Sequence, residues 1–315
     1  MITPPTERWH ILGAGAIGSL WACHLSLAGH PTALILRNAS RLRSFINPIQ
    51  LREQNSERSI KLTAELANNS EPIHRLLVTT KGYDTLNAID SIQHRLSSAS
   101  LILLLQNGMG QQQQLADKLA EPRPDIAIYT GITTEGAYRE SPQTLVHAGR
   151  GESWLGPINA AAQQRGAAAL DSLLQLGLKT GYDQQIVQRL WQKLAINAAI
   201  NGLTAIHGCQ NGRLVSDPSY RSQMQRLCNE VEQLAAALNQ PLFNRPLIEV
   251  ALEVATATAA NYSSMLQDVR NQRPTEIDTI NGYICRQAEQ LGISTPHNQA
   301  LVSTLASLQT TASEN

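Results

Sequence analysis

A glycine-rich turn near the start of the chain, Gly13-Ala14-Gly15-Ala16-Ile17-Gly18, constrains the fold more than any other stretch. It follows the short apolar run His10-Ile11-Leu12 and opens a helical period that continues to Ala28, closed by Gly29-His30. The next apolar run, Thr32-Ala33-Leu34-Ile35-Leu36, reads as a second strand parallel to the first. In that setting the glycines serve three needs: a tight turn, close backbone approach to a pyrophosphate, and close packing of helix on strand. The helix start adds unpaired N–H groups and the positive end of a dipole, both suited to phosphate.

The end of the second strand selects the cofactor. An NAD site carries an acid about 20 residues after the first glycine, for the ribose hydroxyls. Here the residue after Leu36 is Arg37, with Arg41 and Arg43 beyond it. A guanidinium at that place suits a 2′-phosphate through charge-assisted bonds, so the reading favours NADP(H) over three solvated loop arginines. Further strands are predicted at Leu76–Thr80, Leu101–Leu105 and Ile126–Thr130. Ligands of open α/β sheets lie beyond the carboxyl ends of the strands. Lys81 and Asn107 stand at two such ends: Lys81 is compatible equally with cofactor phosphate or an ordinary loop, and Asn107 with ribose or substrate or, taken alone, an ordinary loop.

After Leu155-Gly156 the pattern changes. From Val187 nearly everything has helical period: Val187 to Ile206, Ser219 to Leu238, Pro246 to Leu266 and Glu276 to Leu291. The fold class is therefore a Rossmann-type parallel α/β domain over residues 1–184, then an all-α domain over 185–315. Composition narrows the class. Lys and Arg number 25 against 25 Asp and Glu, which leaves no electrostatic case for nucleic acid or an anionic membrane surface. The longest apolar runs reach about five residues against the roughly 20 of a membrane helix. The opening Met1 to Arg8 lacks the apolar run of a signal peptide. Four scattered cysteines (Cys23, Cys209, Cys228, Cys285) fit a reducing cytoplasm. The eight histidines show no His-x-x-x-His or Glu-flanked pattern, so no metal is expected.

The most informative helical segment runs from Leu190 to Ile206. Lys193, Asn197 and Asn201 recur at i, i+4 and i+8 and line one face, while the other faces are apolar nearly all round. Polar groups on a buried helix need partners. Asparagine is also a poor helix former, so a plain polar seam explains the choice less well than a site does. A desolvated lysine has a lowered pKa and can act as a general acid near neutrality. Further on, Asn261 and Ser264 are expected to share a helical face at i, i+3, and Thr275 with Asp278 to form a capping box that puts Glu276 in a first helical turn.

Taken together, these pieces resemble the ketopantoate reductase (2-dehydropantoate 2-reductase) family. The resemblance rests on the glycine turn, Gln106-Asn107-Gly108, Lys193-Leu194-Ala195-Ile196-Asn197 running into Asn201-Gly202-Leu203-Thr204-Ala205-Ile206, Asn211-Gly212, Ser263-Ser264-Met265-Leu266-Gln267-Asp268 and Thr275-Glu276-Ile277-Asp278. It spans nearly the whole chain in order. It implies NADPH-dependent reduction of 2-dehydropantoate to pantoate, on the route to pantothenate and coenzyme A, by a monomer or homodimer. The second domain would be similar to the C-terminal domain of 6-phosphogluconate dehydrogenase.

By the same resemblance Lys193 is the catalytic proton donor. Asn107, Asn197, Asn201, Asn211 and Asn261 position the substrate, Ser264 binds its carboxylate, and Glu276 binds its hydroxyl. Gly13, Ala14, Gly15, Ala16, Ile17, Gly18, Arg37, Lys81, Asn107 and Glu276 face the cofactor. Two departures stand out: Gly202 where many members carry proline, and His147-Ala148-Gly149-Arg150-Gly151 in place of the usual glycine-containing loop. The rival readings are a reductase of another 2-oxo acid and a non-catalytic NADP-binding regulator.

Overall fold

The computed structural model describes residues 7–313. The chain divides into two compact units, Met1–Gln106 with Gln111–Ile186, and Asn107–Gly110 with Val187–Asn315.

The first unit is built on twelve strands: β1 (Trp9–Leu12), β2 (Thr32–Leu36), β3 (Ile49–Glu53), β4 (Ser56–Ile60), β5 (Thr63–Leu66), β6 (Ile73–Val78), β7 (Leu96–Leu104), β8 (Ala127–Thr133), β9 (Gly136–Arg139), β10 (Thr144–Gly149), β11 (Ser153–Pro157) and β12 (Thr180–Tyr182). Its helices are α1 (Ala16–Leu27), α2 (Ala39–Arg43), α3 (Thr85–Ile92), α4 (Gln111–Ala120), α5 (Ala160–Arg165) and α6 (Asp171–Leu174). Eight strands form one sheet in the order β12-β11-β8-β7-β6-β1-β2-β5. Pairing is parallel except between β11 and β8.

Strand residues alternate between two cores because successive side chains point to opposite faces. Trp9, Ile11, Leu34, Leu77, Leu103 and Tyr129 join Leu20 and Trp21 of α1 on one face. Leu12, Ile35, Leu76, Val78, Ile102, Leu104 and Ile128 pack on the other with Ile89 and Leu115. A sheet buried on both faces explains why its strands read as unbroken apolar runs. A second sheet of four short strands, β4-β3-β10-β9, was not expected from the sequence.

In the second unit the helices are α7 (Ile186–His207), α8 (Arg213–Ser216), α9 (Pro218–Ala237), α10 (Leu247–Ala257), α11 (Ser264–Arg270), α12 (Tyr283–Gln290) and α13 (Pro296–Ser313), with a π-helical turn over Asp278–Gly282. Proline at the first position of α9 and the Asp217 cap, which accepts from Ser219 N and Tyr220 N, mark its start.

The expected single helix from Pro246 to Leu266 is instead two, α10 and α11, separated by residues 258–263. The apolar period persists, but local bonds stop the helix. The Thr258 hydroxyl bonds back to Val254 O. Ala259 O and Asn261 O accept from Gly212 N and Asn211 N, so these carbonyls serve another segment. Ser263 then caps the new helix by accepting from Leu266 N. Asn261 and Ser264 consequently do not share a helical face: Asn261 lies in the break and Ser264 opens α11.

The Thr275–Asp278 region also departs from expectation. The Thr275 hydroxyl accepts from Ile277 N at 3.5 Å, and the Asp278 carboxylate accepts from Arg286 Nη1 at 2.6 Å. Glu276 thus sits on a bend just before the helical turns, not within a first turn.

Candidate active site

At the dinucleotide turn, Gly13 has φ of +112°, where a side chain is strained. A Cβ there would also lie 2.6 Å from Thr80 N. Thr79 Oγ1 donates to Gly13 O at 2.6 Å, tying the turn to the end of β6. At Gly18 a Cβ would meet Gly13 O at 2.1 Å, so helix and turn approach as closely as the backbone allows. Gly15 differs: it is the N-cap of α1, no side chain caps the helix, and a Cβ there would meet nothing within 4 Å. The first N–H groups of α1 therefore face an open cradle, which fits a pyrophosphate.

Beyond β2, Arg37 is exposed, with Nη2 3.7 Å from Asp84 Oδ1. Lys81 lies at the end of β6, where its carbonyl accepts from Asp84 N and from Thr85 Oγ1. An exposed arginine ahead of a lysine-bearing turn is a donor set suited to phosphate.

In the helical unit, helix α7 presents the expected face. Leu194, Ala195, Ala198, Ala199, Ile200 and Leu203 are buried, Asn201 is buried, and Lys193 and Asn197 are half-buried. Lys193 Nζ donates to Asn107 Oδ1 at 2.9 Å, and Asn107 Nδ2 donates to Glu276 Oε2 at 3.2 Å. Glu276 is buried. Burial lowers the Lys193 pKa to about 8, against an opposing pull from the Glu276 carboxylate. An ammonium with that pKa remains largely charged near neutrality and gives up its proton readily.

Asn107 is held from both sides. Met109 N donates to Thr279 O at 2.9 Å. Gly108, at φ +79°, comes so close to Thr279 that a Cβ would stand 2.3 Å from the Thr279 carbonyl. The π-helical turn that carries Thr279 begins two residues after Glu276, so one element locates both the Asn107 segment and the acid.

The remaining predicted residues divide into two groups. Asn201 contributes its carbonyl to a buried knot in which the Thr204 hydroxyl lies 2.9 Å from Asn201 O and 2.7 Å from Ser263 Oγ. That knot fixes the start of α11 and hence Ser264, which is exposed. Asn211 and Asn261 belong to a second locus: Asn211 N donates to Asn261 O, and Asn211 Nδ2 donates to Thr258 Oγ1 at 2.9 Å. Asn211 Oδ1 is buried and has no partner among the described residues. Sequence reading missed Ser263, Thr204 and Thr279. The Ser263-Ser264 pair was the one usable signal, since serine is a preferred N-cap.

Histidines and acids far apart in sequence also converge. His24, Glu53 and His147, and separately His10, Glu65 and Glu71, place ligand atoms within 4.8 Å of one another. No spacing rule reveals such groups.

Comparison with known proteins now bears on these observations. Residues 9–160 match the family described as "Ketopantoate reductase PanE/ApbA", and residues 185–309 match "Ketopantoate reductase PanE/ApbA C terminal". A 2-dehydropantoate 2-reductase of Vibrio cholerae is 36% identical over 303 residues, covering 95% of this chain and 97% of the relative. That of Escherichia coli O157:H7 is 34% identical, covering 92% and 91%. Among solved structures, a PanE/ApbA family ketopantoate reductase from Ralstonia eutropha JMP134 superposes with a TM-score of 0.87 at 25% identity, over 97% of this chain and 99% of that one. A D-mandelate dehydrogenase, solved with NADH and anilino(oxo)acetate, shares the fold at a TM-score of 0.87, 23% identity and the same coverage. No helix among the described residues is long and apolar enough to cross a membrane.

Proposed function

Because the chain belongs to the ketopantoate reductase family of dinucleotide-binding oxidoreductases, we propose that it reduces 2-dehydropantoate to pantoate with NADPH. The reaction would serve pantothenate and coenzyme A synthesis in the cytoplasm. Residues 1–184 are the dinucleotide-binding domain of this reading and residues 185–315 the substrate-binding domain. The observation that carries it is the hydrogen-bonded chain Lys193–Asn107–Glu276 with its lowered lysine pKa.

Gly13, Ala14, Gly15, Ala16, Ile17 and Gly18 would hold the pyrophosphate on the start of α1, and Arg37 the 2′-phosphate, with Lys81, Asn107 and Glu276 completing the cofactor contacts. The bound dinucleotide supplies the hydride. Lys193 donates the proton to the substrate's keto oxygen and offsets the negative charge that develops there. Asn107, by accepting from the ammonium, aims that proton. Glu276 receives the substrate hydroxyl and Ser264 the carboxylate. Asn197, Asn201, Asn211 and Asn261 position the rest.

The test is consumption of reduced nicotinamide, followed by its absorbance, with 2-dehydropantoate as acceptor and NADPH and NADH run in parallel. Turnover with NADPH well above that with NADH is expected, and Arg37→Ala should narrow the NADPH preference by about tenfold. Equal use of both dinucleotides would remove the 2′-phosphate role. Turnover with aromatic or other branched 2-oxo acids in preference to 2-dehydropantoate would replace the substrate while keeping the chemistry. A chain that binds NADPH yet reduces none of the acids would overturn the reading.

A further inference from the structure

Helix α1 packs its His24 end against the small sheet β4-β3-β10-β9, and a knot of buried polar groups lies where they meet. His147 of β10 places Nε2 2.6 Å from Glu135 Oε2 and Nδ1 3.3 Å from Glu53 Oε1. Glu135 also accepts from Gly151 N at 3.0 Å. A carboxylate only accepts, so without a metal His147 donates to Glu135 from Nε2 and to Glu53 from Nδ1, and a metal would take the place of the Nδ1 proton. From the other side His24 directs Nε2 to the same Glu53 oxygen at 3.8 Å. His24 is buried, and that nitrogen has no hydrogen-bond partner among the described residues.

Three potential ligand atoms (His24 Nε2, His147 Nδ1 and Glu53 Oε1) converge within 4.8 Å of one another in a buried setting. Of the three, His24 Nε2 is the buried lone pair left without a partner, which is costly. A cation in place of the His147 Nδ1 proton would pair His24 Nε2 and join all three groups. Imidazoles with one carboxylate suit zinc and its borderline neighbours, not magnesium or calcium. Glu135 on the far nitrogen of His147 is the orienting carboxylate that a metal-bound histidine regularly has.

Two arginines touch Glu53 and must be reconciled with this. Arg58 bonds to Oε2, the oxygen turned away from the histidines. Arg150 Nη2 approaches Oε1 at 3.2 Å, but its side chain is two-thirds exposed and free to turn into solvent.

We propose that His24, Glu53 and His147 form a zinc-type divalent-cation site, with Glu135 orienting His147, that staples helix α1 to the four-stranded sheet. None of these four residues has a part in the proposed reductase chemistry. Metal bound there stabilises the folded chain by mass action, since no preformed set of ligands exists in the unfolded state.

The experiment uses the full chain, freed of metal by chelation and titrated with zinc chloride and, in parallel, cobalt chloride. Calorimetry should return about one zinc per chain, the melting temperature should rise, and cobalt should give the intense visible bands of a low-coordinate N/O site. Histidine-selective ¹H–¹⁵N spectra of the unaltered chain should show zinc on His24 Nε2 and His147 Nδ1, a readout that needs no variant. His24→Gln should abolish saturable binding. Glu135→Gln should weaken it by about 10- to 100-fold, and His94→Ala, an exposed histidine, should leave it unchanged. No saturable binding, binding that survives His24→Gln, or spectra showing His147 protonated on both nitrogens with zinc present would overturn the proposal. The last result would mean that a proton fills the place assigned to the metal.

Discussion

Helix α7 carries two polar arrays, and they are finished to different degrees. On one side Glu230 accepts from His297 N, Asn298 N and Asn298 Nδ2 at 2.8, 2.9 and 2.7 Å. Asn298 Oδ1 then accepts from Asn281 Nδ2, which also donates to Ala198 O of α7 at 3.0 Å. That array joins α7, α9, α13 and the π-helical turn, and in it only Asn281 Oδ1 is left without a partner among the described residues. On the other side Lys193, Asn107 and Glu276 form a chain, while Asn197 on the next turn and Ser264 on α11 have no side-chain hydrogen-bond partner among the described residues. Both arrays use amides and a buried acid. The first, nearly closed, spends its hydrogen bonds on the fold; the second, open, leaves whole side chains unpaired, as the proposed ligand role requires. Buried polarity alone does not mark a site; an amide side chain left unpaired one turn from a desolvated lysine is the better marker.

The sharpest way to break this contrast is to remove the central group of each array. Lys193→Met should lower kcat by about 10²–10⁴-fold. Stability should move by no more than about 1 kcal/mol, because the change removes an ammonium whose desolvation outweighs its attraction to Glu276. Glu230→Ala should do the reverse. It leaves two backbone N–H groups and an amide without their acceptor, at about 2–4 kcal/mol, with the rate of the surviving folded protein near that of the parent. Denaturant melts paired with initial rates would check both. A Glu230→Ala protein that melts like the parent, or a Lys193→Met protein that turns over normally, would erase the distinction.

Proton linkage sharpens the contrast further. The rate of reduction should fall as pH rises through about 8, where Lys193 loses its proton. Stability should run the other way. Lys193 has its folded-state pKa at about 8, below the ordinary 10.5, so between those values the unfolded chain holds the extra proton. Unfolding then takes up protons, and stability rises with pH across that window. Lys193→Met should lose both dependences, as pH profiles of rate and of melting temperature will show.

How much of this was legible in the sequence follows from range. Strands β1, β2, β6 and β7 lie in a sheet covered on both faces, so their apolar runs announce them. Strand β4, Ser56-Glu57-Arg58-Ser59-Ile60, is mostly exposed and carries no such run, and β3 pairs with β10 nearly a hundred residues away. Periodicity cannot report that pairing. The Lys193-Asn197-Asn201 stripe was visible because helix geometry puts i and i+4 together. The break between α10 and α11 was not, since it depends on Asn211 and Gly212 claiming the carbonyls of Asn261 and Ala259. The His24–Glu53–His147 convergence is wholly tertiary and leaves no trace in spacing.

The smallest expected effect tests the open array at its edge. Ser264 is exposed at the start of α11, while Ser263 beside it is buried, caps the helix and bonds into the Thr204 knot. Adjacent serines of the same chemistry thus stand on opposite sides of the contrast. Ser264→Ala should leave the melting temperature almost unchanged, within about 0.5 kcal/mol, and should raise KM for the 2-oxo acid about tenfold through loss of a hydroxyl bond to carboxylate. Ser263→Ala should cost about 1 kcal/mol of stability through the lost cap, with a KM change that follows only from displacement of its neighbour. If Ser263→Ala raises KM more than Ser264→Ala does, the buried hydroxyl acts on the ligand, and the division between closed and open polarity has been drawn one residue too late.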